Sequence, residues 1–143
     1  MANTSTEIRT ITAESFQKYG VVLDFSPEFS GAFEIILKEP DSPWRMAVYR
    51  PNDRKCTVLE NHPTSLESFE PVRGTALLLV APNDDPDNFE IFLLDKPICL
   101  FKGIWHNALA LSDDVIIRIN ENLEVTTEFH RFEKSVHICG VSI

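Results

Sequence analysis

From Val21 onward the chain breaks into short apolar and β-branched runs, and this segmentation limits its fold more than any other feature. Val21–Phe25, Phe33–Lys38, Trp44–Arg50, Lys55–Glu60, Thr75–Val80, Phe89–Leu94, Pro97–Phe101, Trp105–Leu111, Val115–Asn120 and Val125–Phe132 are separated by clusters of Gly, Pro, Asn, Asp and Ser. The runs have strand length and the clusters have turn chemistry. About ten strands of this kind predict an all-β sandwich or barrel. One helix is expected ahead of them, over Ile11–Gly20. There Thr12 can cap, Glu14 suits the positive end, Ile11 and Phe16 are spaced as a hydrophobic staple, and Gly20 can terminate. The first six residues are polar and expected to fray. A turn is expected at Glu121-Asn122. The length of 143 residues, with no internal repeat or linker, reads as a single domain over 1–143.

Charge and cysteine usage exclude some classes of partner. Thirteen Lys and Arg against 22 Asp and Glu give a net charge of −9, and binding to nucleic acid or an anionic membrane surface would need a clustered basic face. A local Arg or Lys still suffices for a small anionic substrate. Cys56, Cys99 and Cys139 are odd in number and share no C-x-x-C spacing, which points to buried free thiols in a reducing compartment. No apolar run approaches the roughly 20 residues of a membrane span. The Met-Ala-Asn-Thr-Ser-Thr-Glu start lacks the basic and apolar regions of a signal peptide, so a cytoplasmic location is expected. Asn83–Asn88 is acidic and reads as a solvated hairpin loop.

The chemistry concentrates just ahead of the most apolar strand. Glu60, His62 and Glu67 precede Gly74 with the spacing Glu60-x-His62-x4-Glu67-x6-Gly74. Residues two apart on a strand share a face, so Glu60 and His62 can enter one cavity, and Glu67 can return beside them after the bend at Pro63, Thr64 and Ser65. His106 lies in Gly103-Ile104-Trp105-His106-Asn107, where Gly103 permits a tight turn and Trp105 can wall a pocket. Imidazole and carboxylate donors suit Ni²⁺, Mn²⁺ or Zn²⁺. Without a metal the same groups form an acid/base set, and the residues alone leave both open. His130 and His137 lack carboxylate spacing and read as structural or surface residues.

These two stretches resemble the motifs of the cupin superfamily, G-x5-H-x-H-x3–4-E-x6-G and G-x5-P-x-G-x2-H-x3-N. Glu60, His62, Glu67 and Gly74 fall on the first, with Glu60 replacing its first His, and Gly103 and His106 fall on the second. The chain more closely resembles the ureidoglycolate lyase family, which is cupin-like. The resemblance rests on Ile11–Val22, on Leu59-Glu60-x-His62-Pro63 with Phe69-x-Pro71 and Gly74, on Gly103-Ile104-Trp105-His106, and on Arg50 ahead of the first block. Asn107 stands where the family has a second His, and Glu67 where it commonly has Gln.

The resemblance implies a double-stranded β-helix, or jelly-roll barrel, with its site in the barrel mouth and a homodimeric state. It implies cleavage of ureidoglycolate to glyoxylate and urea in purine and allantoin breakdown. His62, His106 and Glu60 are then the catalytic candidates. Arg50, Lys102, Asn107 and Trp105 are candidates for holding a small carboxylate substrate, and His62, Glu67 and His106 for holding a metal. A cupin-like binding protein without turnover, or another metal-dependent cupin enzyme, is the alternative.

Overall fold

The computed structural model describes residues 6–137. In chain order it contains β1 Ile8–Thr10, α1 Ala13–Phe16, β2 Gly20–Val22, β3 Trp44–Tyr49, β4 Lys55–Asn61, β5 Glu67–Arg73, β6 Ala76–Ala81, β7 Glu90–Leu93, β8 Ile98–Leu100, β9 Trp105–Ala110, β10 Ile116–Asn122 and β11 Glu128–His137. A six-stranded sheet has the order β1-β7-β6-β9-β4-β11, and a five-stranded sheet the order β2-β8-β5-β10-β3. The β1–β7 pair is parallel and the other pairs antiparallel. From β4 the chain passes repeatedly between the sheets, so the architecture is the expected β-sandwich jelly roll of the cupin type.

Side-chain alternation divides the core into two layers. Leu78, Val80 and Ala108 from the larger sheet meet Phe69, Ile98, Ile117 and Ile119 from the smaller one between the sheets. The opposite parity of the larger sheet, including Leu77, Leu79, Trp105 and Leu109, packs with Leu59 into a second cluster. Both faces of β6 are therefore buried, which explains why Leu77-Leu78-Leu79-Val80 is a continuous apolar run rather than an alternating one. On β10 the inward residues are Ile117 and Ile119, while Ile116 is half-buried.

Several expected elements take a different form. The helix has four residues, with Thr12 as its N-cap and Glu14 in its first turn as expected; Ser15 completes a capping box with Thr12. Ile11 and Phe16 are both fully buried, as a staple requires. Gly20 is the first residue of β2 rather than a helix terminator. A Cβ there would lie 2.1 Å from the Cys99 carbonyl oxygen, so close strand approach is what requires glycine. Phe33–Lys38 forms no strand: Phe33 and Ile35 are exposed, and the segment has no ladder partner. Glu121-Asn122 is not a turn but the end of β10, and the final strand starts at Glu128 rather than Val125. Ile8–Thr10 adds a parallel edge strand that the polar N-terminus did not suggest.

Cys56 and Cys99 are buried free thiols. Burial pushes both up, Cys99 to about 11, so neither is a ready nucleophile. Cys139 lies outside the described residues. Among the described residues, no helix is long and apolar enough to cross a membrane.

Candidate active site

Two rows of side chains face each other at one end of the sandwich. On the larger sheet Glu60 of β4 lies directly opposite His106 of β9. On the smaller sheet Glu121 of β10 lies between Glu67 of β5 and Arg45 of β3. Glu60, Glu67, His106 and Glu121, together with Tyr49, Phe69 and Ile119, line a cavity of about 270 Å³, and Arg45 braces Glu121 beside it. His62, one residue past β4, keeps the parity of Glu60 and reaches in behind Glu67.

Glu67 is the hub. Its Oε2 lies 3.0 Å from His62 Nε2 and 3.1 Å from His106 Nε2. The imidazole rings are 5.1 Å apart between centroids. The predicted convergence of His62, Glu67 and His106 is thus realised, and Glu60 joins it at 3.8 Å from His62. Oε2 is buried, and neither ring N–H is aligned with it as a hydrogen bond requires, so close approach and not a formed bond links the three groups. Burial raises the Glu67 pKa, but His106 and His62 beside it outweigh burial and bring it down to about 2. Burial likewise lowers His62, yet Glu67, the Thr126 carbonyl and Glu60 together hold it above its ordinary value.

Backbone contacts fix both rings. His106 Nδ1 is 2.9 Å from the Ile104 carbonyl oxygen, so Nδ1 carries the proton there and Nε2 is the nitrogen turned to Glu67. The edge of its ring packs on Phe69. His62 Nδ1 meets the Thr126 carbonyl and the Thr127 hydroxyl. Gly103 stands at φ +83° and joins the two motifs. Its N–H donates to the His62 carbonyl, and its own carbonyl accepts from the Asn61 and Asn83 amides. Gly74, at φ +73°, makes the tight turn from β5 into β6.

The proposed substrate-holding residues are placed differently. Trp105 precedes His106 and so points the opposite way, into the outer cluster, where its Nε1–H donates to the Asn83 carbonyl. Arg50, one residue past β3, is exposed and does not line the cavity. Lys102 is half-exposed and pairs with Glu39 at 3.0 Å, away from the cavity. Asn107 borders the cavity, but its amide donates to the Val58 carbonyl and accepts from the Ala108 N–H. His62 is almost fully covered and does not line the cavity, whereas His106 and Glu60 do. His130 bonds Asp87 and packs on Trp105, and His137 is exposed, as expected of structural and surface residues.

Two polar residues of the cavity wall, Tyr49 and Glu121, were not singled out by the sequence, nor was Arg45, which pairs with Glu121 beside the cavity without lining it. The guanidinium of Arg45 donates twice to Glu121 Oε1, at 2.9 Å from Nε and 2.6 Å from Nη2. Desolvation and then the charge of Glu60 raise the Tyr49 phenol, which keeps it a hydrogen-bond donor at neutral pH. Strand parity was the available signal. Arg45, Ala47 and Tyr49 alternate inward on β3, and Glu121 continues the row of Ile117 and Ile119.

The donor set fits a divalent cation. Glu60, His62 and His106 offer ligand atoms within 4.8 Å of one another, as do His62, Glu67 and Glu121. Two ligands at about 2.1 Å from one ion are at most about 4.2 Å apart, so small side-chain adjustments bring either set into range. The unsatisfied Glu67 Oε2 is an atom that such an ion would satisfy.

The chain is 28% identical over 135 residues, spanning 77% of its own length and 81% of the relative's, to a protein of Agrobacterium fabrum (strain C58 / ATCC 33970) named ureidoglycolate lyase. The ureidoglycolate lyase family pattern matches residues 32–137, which include both motifs and every cavity residue above. By that match the chain belongs to the ureidoglycolate lyase family.

Proposed function

We propose that the cavity cleaves the C–N bond of ureidoglycolate to give glyoxylate and urea, as a step of purine and allantoin breakdown. One observation carries this reading: Glu67 lies within 3.1 Å of both imidazole nitrogens, which brings the two family motifs together in a single acid/base set. The reaction removes the proton of the substrate hydroxyl as its C–O bond becomes a carbonyl. The C–N electron pair leaves with nitrogen, which takes up a proton. One proton is removed and one delivered, so a single group that accepts and then returns it suffices.

His106 is that group. It lines the cavity, and its Nδ1 is committed to the Ile104 carbonyl, leaving Nε2 to exchange the proton. Glu67 stays ionised at working pH and stabilises the imidazolium that forms, as a buried carboxylate does beside a catalytic histidine. His62, behind Glu67, is a positioning residue: it holds the carboxylate in place without facing the cavity. Glu60, at the rim opposite His106, is a second base within reach of the hydroxyl. Tyr49 donates a hydrogen bond to the leaving urea group. Arg45, whose Nε and Nη2 are held by Glu121, keeps Nη1 to donate to a substrate carboxylate and takes the part expected of Arg50. A divalent ion held by His62 and Glu67 would supply electrostatic stabilisation of the developing oxyanion.

The test is direct. Purified protein given ureidoglycolate should release glyoxylate and urea, and His106→Ala should lower kcat by about 10²–10⁴-fold. If the wild-type protein releases neither product, with or without added Ni²⁺ or Mn²⁺, the reading fails.

A further inference from the structure

The cavity holds more negative charge than its histidines account for. Glu67 and Glu121 face each other directly on neighbouring strands, and both are buried. Like charges in that relation destabilise a sheet, and in a buried site water offsets little of the repulsion. Arg45 offsets part of it from the far side, but both of its hydrogen bonds go to Glu121 Oε1. Glu121 Oε2 remains available, and Glu67 Oε2 is buried without an aligned donor. His62 completes a group of three buried ligands with these two carboxylates. We propose that Glu121 is a ligand of a divalent-cation site formed with His62 and Glu67, a role that neither sequence motif assigns to it.

This choice among the donor sets has a chemical consequence. Glu60, His62 and His106 form the alternative group, and an ion there would occupy a nitrogen of His106. Placing the ion with Glu67 and Glu121 leaves Nε2 of His106 free to move a proton. The inference uses the same cavity as the proposed reaction and is consistent with it, but it does not depend on turnover.

Binding is measured on the full chain, stripped with a chelator, by titration calorimetry with Mn²⁺ and Ni²⁺ and by the visible absorption of Co²⁺. The wild-type protein should bind one ion per chain. Glu121→Gln keeps the size of the side chain and removes its charge, and should weaken binding by at least about 10–100-fold, the loss typical even of residues one step removed from a metal. It should also change the Co²⁺ spectrum. Because Glu121→Gln also breaks the pair with Arg45, Arg45→Met is the control: it breaks the same pair, leaves the carboxylate, and should keep or raise the affinity. His106→Ala should leave the Co²⁺ spectrum close to that of the wild type. Circular dichroism establishes that each variant is folded. The proposal is overturned if the wild-type protein binds no ion, if Glu121→Gln binds as tightly as wild type, if Arg45→Met loses as much as Glu121→Gln, or if His106→Ala abolishes binding. A protein that binds the ion as described yet does not cleave ureidoglycolate would sink the lyase reading and leave this one standing.

Discussion

The two walls of the cavity are supported in opposite ways. β6 and β9 lie inside the larger sheet, and every residue of β6 and all but Asn107 of β9 are buried. β3 is the edge of the smaller sheet, pairs only with β10, and is exposed at all six residues. Both deliver functional groups. β9 supplies His106, which is held by strands on either side, by the Ile104 carbonyl and by Phe69. β3 supplies Arg45 and Tyr49, which are held from one side. The group proposed to handle the proton, where small displacements cost most, stands on the rigid wall. The groups proposed to meet the substrate's polar ends stand on a rim with fewer supporting contacts.

The contrast can be broken most forcefully at Leu78. This residue is fully buried between the sheets on β6, and Leu78→Ala should cost about 2–5 kcal/mol in denaturant unfolding. A smaller loss would show that the wall relaxes around the missing atoms and is less rigid than its burial implies.

The hub should show itself as a pH dependence of unfolding, measured with chelator present. The Glu67 pKa falls from 4.5 to about 2 on folding, so its stabilising contribution is complete above 4.5 and is lost as pH drops toward 2. The His62 pKa rises above 6.5 on folding, so its contribution is complete below 6.5 and is lost as pH climbs through the folded value. The pair should therefore stabilise most between 4.5 and 6.5. Glu67→Gln should flatten both limbs and cost about 1–3 kcal/mol within that window, as expected when a buried polar group loses its partner. An unchanged profile would mean that the imidazoles and Glu67 do not share charge in solution.

The smallest effect is expected at the rim. Val48 on β3 is 75% exposed, and Val48→Ala should stay within about 0.5 kcal/mol of wild type. A loss comparable to that of Leu78→Ala would show that something covers this edge in solution, and the comparison of the two walls would need redrawing.

Period-two alternation made the centre of the site legible. It put Glu60 and His62 on one face, and the spacing to Glu67 and Gly74 placed the return strand. The same rule, carried further, would have turned Trp105 away from His106 and selected Arg45 over Arg50. Trp105 enters as a neighbour of His106 within its motif, and Arg50 through the family resemblance rather than through strand parity. Glu121 was hidden for another reason: Glu-Asn has turn composition, and pairing on both sides of β10 overrides that local preference. Phe33–Lys38 shows the converse, a stretch with strand composition that no partner strand accepts, since strand propensity reports fit to a sheet rather than an intrinsic preference. The boundary of the short helix was beyond reach, because β2 claims Gly20 through its pairing with β8.

The reciprocal bonding at Gly103 bears on the order in which the molecule acquires its function. The Asn61 amide and the Gly103 carbonyl are 42 residues apart in sequence, so the clamp closes a long loop and forms only after that entropy has been surrendered. Until then His62 and His106 belong to separate segments, and the pair of imidazoles around Glu67 is not assembled. During refolding, β structure, monitored by far-UV circular dichroism, should therefore appear before the two imidazoles and Glu67 come to share charge, monitored by the pH dependence of stability. A substitution that weakens the clamp should delay the second event more than the first.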